Sequence, residues 1–157
     1  MKPIRSSIAQ HPFLAELAPE HLDLLSDFAM QRTFADGELI LKQGDLANRF
    51  YLINTGHVLI SSRGSSGNPA EIETLGAGDV LGWSWLFEPR LWQFDARAVG
   101  ETETIFFYAT LLLAQLEENT ALGCELLRRM AAVTIRRLQK TRERLVNCPP
   151  ASDKAIS

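Results

Sequence analysis

Residues 36–60, DGELILKQGDLANRFYLINTGHVLI, decide the fold. Three apolar runs, Glu38 to Lys42, Arg49 to Asn54 and His57 to Ser62, are rich in Ile, Leu, Phe, Tyr and Val and are set off by Gly37, Gly44 and Gly56. Runs this short, bounded by residues that tolerate positive φ, read as strands between turns. Gly44 and Gly56, with Gly78 further on, fall where the chain is expected to reverse. Asp45 and Asp79 follow two of them and are placed to accept hydrogen bonds from turn amides.

The same pattern continues to Tyr108. Further strands are predicted at Ala70 to Leu75, Gln93 to Val99 and Thr102 to Tyr108, and the tract RGSSGNP at 63–69 reads as a hairpin tip. Trp83 to Phe87, between Gly82 and Pro89, is short enough for one helical turn. This much predicts an antiparallel β sandwich or barrel.

Helical spacing frames the β region. Phe13, Leu14, Leu17, Leu22, Leu24, Leu25 and Phe28 indicate two short helices, with Pro19 in a first-turn position, after an N-terminal arm at 1–10. After Tyr108, a helix is predicted over Leu111 to Glu118 and a long one over Ala121 to Val146. The long one carries two stripes. Leu122, Leu126, Met130 and Val133 form one, suited to packing on the helix's own domain. Cys124, Leu127, Ala131, Thr134, Leu138, Thr141 and Leu145 form the other, suited to a second copy of the chain. Its arginines, from Arg128 to Arg144, read as a solvated face. One domain at 11–146 and a flexible tail at 147–157 complete the organisation.

Composition excludes several functions. The net charge of −3 argues against direct nucleic-acid binding, which needs cations to displace counterions from phosphates. Cys124 and Cys148 are too few for a disulfide framework or a thiolate metal site, which suits a reducing cytoplasm, and Cys124 is expected as a buried structural thiol. There is no stretch of about 20 apolar residues to span a membrane. His11, His21 and His57 are scattered and read as surface or turn residues, and there is no local Ser-His-Asp or Cys-His spacing. An enzyme is not expected.

The ordered series Gly37, Glu38, Gly44, Asp45, Phe50, Tyr51, Gly56 and Val58, continued by Gly76, Gly78, Asp79, Gly82, Leu86 and Phe87, resembles a cyclic nucleotide-binding domain. The resemblance covers residues 11–146 and is to the sensor half of Crp/Fnr-type bacterial regulators, without their helix-turn-helix domain. It implies an α+β fold, an antiparallel, jelly-roll-like β-roll (double-stranded β-helix) with short N-terminal helices and a long C-terminal dimerisation helix. It also places the ligand site between Gly82 and Val99. There the family uses backbone amides and an Arg for the cyclic phosphate and a Glu for the ribose. In this chain Trp83 stands in the Glu position and Trp92 in the Arg position, followed by Gln93, so cAMP or cGMP is disfavoured and no cofactor is expected.

The candidate pocket is therefore Gly82, Trp83, Ser84, Trp85, Trp92 and Gln93. All three tryptophans of the chain lie in it, with Phe87 and Phe94 nearby. Two readings stay open: the indoles fill a site that no longer takes nucleotide, or they form an aromatic cage for another ligand, with indole N–H groups and Ser84 as polar contacts. Arg90 reads as a solvated side chain, and Arg97 as an outer-face residue paired with Asp95 or Glu101. The functional expectation is a bacterial, cytoplasmic regulatory module that forms a homodimer and can engage a protein partner. The alternative is a structural or interaction module with no small-molecule ligand.

Overall fold

The structure is a computed structural model and describes residues 4–63 and 69–147. In chain order it contains α1 (Ile4–Gln10), a single 3-10 turn (Pro12–Leu14) and α2 (Pro19–Ser26). Strands β1 (Met30–Phe34), β2 (Leu39–Leu41), β3 (Arg49–Arg63), β4 (Pro69–Gly76) and β5 (Val80–Leu81) follow. A second 3-10 turn (Ser84–Leu86), β6 (Asp95–Tyr108), α3 (Ala109–Glu118) and α4 (Thr120–Asn147) complete the described chain.

Two long strands carry the sheet. β3 and β6 run antiparallel from Arg49↔Tyr108 to Ser61↔Asp95. β1 and β2 add to β6, and β4 and β5 add to β3, all antiparallel. One pair of strands thus serves both halves of an antiparallel β-roll, and helices close its ends: the fold is α+β, with the long helix at the C-terminal side.

The strands expected at Arg49 to Asn54 and His57 to Ser62 are one strand, as are those at Gln93 to Val99 and Thr102 to Tyr108. Gly56 is not a reversal. It sits at φ +89° where the β3–β6 register shifts, and a Cβ there would lie 2.5 Å from the Glu101 carbonyl oxygen. The residue permits a bulge that bends the sheet while pairing continues across it. Thr102 Oγ1 donates to the His57 carbonyl at 3.0 Å and ties the two strands at the bend.

Strand β1 has no counterpart in the sequence reading. Of its residues only Phe34 is buried, so it offers no alternation to detect. Its place is fixed by main-chain pairing with β6 instead. The segment read as an arm also contains structure, since α1 buries Ile8 completely. Residues 64–68 of the expected hairpin tip and 148–157 of the expected tail lie outside the described residues.

His11 is neither a surface nor a turn-exposed residue. It is 3% exposed, its Nε2 donates to the Ile53 carbonyl at 3.0 Å, and its Nδ1 accepts from the Phe13 N–H at 3.2 Å. Burial pushes this imidazole below its ordinary pKa, against opposing contributions from the carbonyls of Ile53 and Asp79 and the Asp79 carboxylate.

The two stripes of α4 separate as their spacing indicates. Leu122, Leu126 and Met130 are buried and Val133 packs partly buried against the core. On the other stripe Leu127, Leu138 and Leu145 are exposed, as is Cys124, which is therefore not a buried thiol within the chain. The arginines do not form one solvated face. Arg129 donates to the carbonyls of Phe13 (2.7 Å) and Ala15 (2.8 Å), while Arg137 and Arg144 donate to those of Val80 and Ile72. Among the described residues no helix is long and apolar enough to cross a membrane.

Candidate functional site

The connection from β5 to β6 is built on Gly82. Its φ of +89° is left-handed, and a Cβ there would stand 2.8 Å from Cη2 of the Trp92 ring and 3.2 Å from the Arg49 carbonyl oxygen. No side chain fits between this turn and the indole. The Gly82 carbonyl in turn accepts from Trp85 Nε1 at 2.7 Å, which satisfies the one polar atom of a side chain only 1% exposed. Trp85 meets Phe50 edge to face with centroids 6.1 Å apart.

Trp92 is held from its backbone as well as its ring. Its N–H donates to the Asp45 carbonyl and its carbonyl accepts from the Gly44 N–H, both at 2.9 Å, and Ala47 N–H bonds to the Arg90 carbonyl at 2.8 Å. The Gly44–Asp45 turn and the segment before β6 therefore brace each other. The ring is 4% exposed. Asp79 plays the turn role expected of it, accepting from the Gly76 N–H at 2.8 Å.

The six candidate residues do not converge on one cavity. Trp85 and Trp92 belong to the hydrophobic core. Ser84 is half-buried and its carbonyl accepts from the Phe87 N–H in the short turn. Gln93 is exposed and its Nε2 donates back to the Leu91 carbonyl at 2.9 Å. Arg90 is exposed beside Glu88, at 3.3 Å. Arg97 lies on the outer face as expected, but its partner is the Gly37 carbonyl at 2.7 Å, and Asp95 pairs instead with Arg63 at 3.0 Å. Phe87 projects into solvent.

Trp83 stands apart from the other two indoles. It is half-buried and its ring faces the guanidinium of Arg137 from α4, 4.7 Å from carbon to centroid. The same guanidinium lies 3.9 Å from a Glu73 carboxylate oxygen and donates to the Val80 carbonyl. Burial lowers the Arg137 pKa, opposed by Glu73 and Asp79, yet a guanidinium that starts this basic keeps its proton at neutral pH. Two residues of this cluster, Glu73 and Arg137, were not in the sequence reading of the site. The signal was available: extending the inner stripe of α4 from Met130 and Val133 by one helical step lands on Arg137.

Among the described residues, clefts of some size lie elsewhere. A groove of about 390 Å³ runs beside Trp92 between Lys42, Leu46 and Arg49. A cleft of about 640 Å³ lies between α1, β1 and the Gly78 turn and is lined by Gln10, His11, Thr33, Asn54 and Glu103, among others. Neither reaches Gly82, Trp83, Ser84 or Trp85. Among the described residues no His, Cys, Asp and Glu cluster is arranged to hold a metal ion.

Comparison with known proteins agrees with this architecture. The chain is 29% identical over 129 residues to the cyclic AMP receptor protein of Thermus thermophilus, covering 82% of this chain. It spans 58% of that relative's length. The crystal structure of the Thermus thermophilus catabolite activator protein superposes with a TM-score of 0.69 at 28% identity, over 85% of this chain and 61% of that one. A cyclic nucleotide-binding domain from Methylobacillus flagellatus shares the fold, with a TM-score of 0.81 at 18% identity over 91% and 83% of the two chains. The family model of the cyclic nucleotide-binding domain matches residues 31–119, more than half of the chain, and together with the roll, the bulged strands and the long helix this shows that the chain belongs to the cyclic nucleotide-binding domain family.

Proposed function

We propose that this chain is a non-catalytic regulatory module, working in the cytoplasm as a homodimer, whose nucleotide seat is closed to cAMP and cGMP. The observation that supports this most is the contact between Trp92 and Gly82. The ring lies where the resemblance puts the phosphate-binding Arg, against the backbone turn that the phosphate would have to approach, and Trp83 takes the place of the ribose Glu. Loss of a charge-assisted phosphate contact weakens binding by roughly 1.5–3 kcal/mol, and a second lost polar contact compounds it. Opening the seat would also expose Trp92, which is 4% exposed as it stands.

Pairing through the outer stripe of α4 is the second part of the proposal. Leu127, Leu138 and Leu145 are 48%, 54% and 74% exposed, at heptad-compatible spacing with Ala131, Thr134 and Thr141 between them. Such a stripe is the usual material of a two-helix seam. Regulation then passes to a protein partner through the relative placement of roll and helix.

Titrating cAMP and cGMP while following tryptophan fluorescence tests the closed seat, since Trp83, Trp85 and Trp92 report on it directly. The expected outcome is no saturable change below about 1 mM, which corresponds to binding weaker than about −4.1 kcal/mol. Saturable quenching at micromolar nucleotide would overturn the proposal.

A further inference from the structure

The long helix is seated in two different ways along its length. Up to Met130 it is held chiefly by buried apolar side chains, with Arg129 adding hydrogen bonds to the Phe13 and Ala15 carbonyls. From Ala131 to Asn147 every residue is exposed except Val133 and Arg137, so that Arg137 is the last residue of α4 that the roll encloses. Its side chain is 20% exposed and that of Glu73 is 24% exposed, low values for an ion pair on a helix facing solvent. The guanidinium meets three different chemical groups of the roll: the Trp83 face, the Glu73 carboxylate and the Val80 carbonyl. An arene face, a carboxylate and a carbonyl are together a receptor for a planar cation.

We infer that Arg137 is the resident occupant of the seat beside Trp83, a tethered cation through which the chain itself couples the distal half of α4 to the roll. The inference rests on the proposed function, because the seat is free for Arg137 only if no nucleotide takes it. It explains why a Trp stands where the resemblance expects a Glu. A carboxylate at that position would add a third acid to Glu73 and Asp79, whereas an indole offers the guanidinium a flat face and leaves Glu73 as its charge partner. Coupling of this kind needs no diffusible signal: it is present whenever the chain is folded, and it is broken by whatever withdraws Arg137 or covers Trp83. Arg144, one heptad further on and bonded to the Ile72 carbonyl, extends the same edge of contact along β4.

Hydrogen–deuterium exchange on the full chain, read in peptides covering 131–147 and 120–130, tests the inference. Arg137→Gln keeps a polar side chain but shortens it and removes the fork and the charge. It is expected to speed exchange in 131–147 by about tenfold or more while leaving 120–130 unchanged, which also shows that the variant is folded. Arg136→Gln, which removes the same charge from an exposed neighbour, is expected to change neither segment. Arg137→Lys, which restores charge without the planar fork, is expected to fall between. Equal exchange in Arg137→Gln and Arg136→Gln would overturn the coupling role and leave the closed-seat reading standing. Slowed exchange of 131–147 in the wild-type chain on adding 1 mM cAMP would overturn the closed-seat reading and the inference with it.

Discussion

The two halves of α4 belong to one continuous helix yet are attached to the protein by different physics. Between Thr120 and Met130 the helix places Leu122, Leu126 and Met130 into the core at 0%, 2% and 4% exposure. Each such burial contributes roughly 1.5–3 kcal/mol, with no dependence on charge or on a single geometry. Between Ala131 and Asn147 Val133 packs partly buried against the core, and the rest of the attachment is made by guanidinium groups on carbonyls, a carboxylate and an indole. Polar contacts of this type are directional and can be exchanged for water or for another ligand at little cost. The first half fixes the helix to the roll; the second half has an alternative, and a part with an alternative is one that can be regulated.

The sharpest way to break this comparison is to delete the same side chain from each half. Leu126→Ala is expected to lower the unfolding free energy by about 2–5 kcal/mol in urea titrations, whereas Leu138→Ala is expected to change it by no more than about 0.5 kcal/mol in the monomer. Equal losses would mean that the distal half is also a core element. The association of two chains is expected to show the reverse dependence. In sedimentation at tens of micromolar, the wild type is expected as a dimer and Leu138→Glu as a monomer. A wild-type monomer there would remove the outer stripe as an interface.

The smallest expected effect concerns the seat of the first half. Arg129 holds the carbonyls of Phe13 and Ala15, and the turn that presents them starts at His11, whose Nδ1 accepts the Phe13 N–H. Protonation would convert that acceptor into a donor. Because burial depresses the folded-state pKa, the unfolded chain takes up the proton first, below about pH 6.5. Stability is therefore expected to be full above that value and to be lost as the pH falls through the lower, folded-state value. His11→Gln is expected to flatten this limb of a pH–stability curve, while the distal half of α4 shows no change over it. An unaltered limb would place the acid sensitivity elsewhere.

Most of the fold was legible because it is written in local signals. Glycine-bounded β runs gave the roll, and two stripes offset on one helix gave α4 its inner and outer faces. The misreadings share a cause. Gly56 and Gly100, at φ +89° and +74°, look like turn residues, but a bulge in a paired strand uses the same left-handed backbone, so each of the two long strands reads as two in sequence. β1 pairs its main chain with β6 while exposing Gln31, Arg32 and Thr33, and a strand without a buried face has no periodicity.

The site was legible in what it lacks and less so in what it contains. The substitutions Trp83 and Trp92 stand out against the family pattern at once. That Trp85 packs on Phe50, Trp92 braces against Asp45 and Trp83 meets Arg137 of α4 depends on contacts between residues 35, 47 and 54 positions apart, which no short window of sequence contains. Arg137 was hidden among neighbours of the same charge. Only the inner stripe, carried one step past Val133, distinguishes it from Arg136.

The hydrogen bonds from Arg129 to Phe13 and Ala15 join positions 116 and 114 residues apart, and this has a consequence for the order in which the protein can be made. During synthesis the segment Pro12–Leu14 emerges with Phe13 and Leu14 uncovered, and the helix that seats it follows more than a hundred residues later. The partner of β1 comes equally late, since Met30 pairs with Phe106. The segment from α1 to β1 therefore waits with its apolar side chains uncovered until β6 and α4 follow, a period in which it is a natural substrate for chaperones.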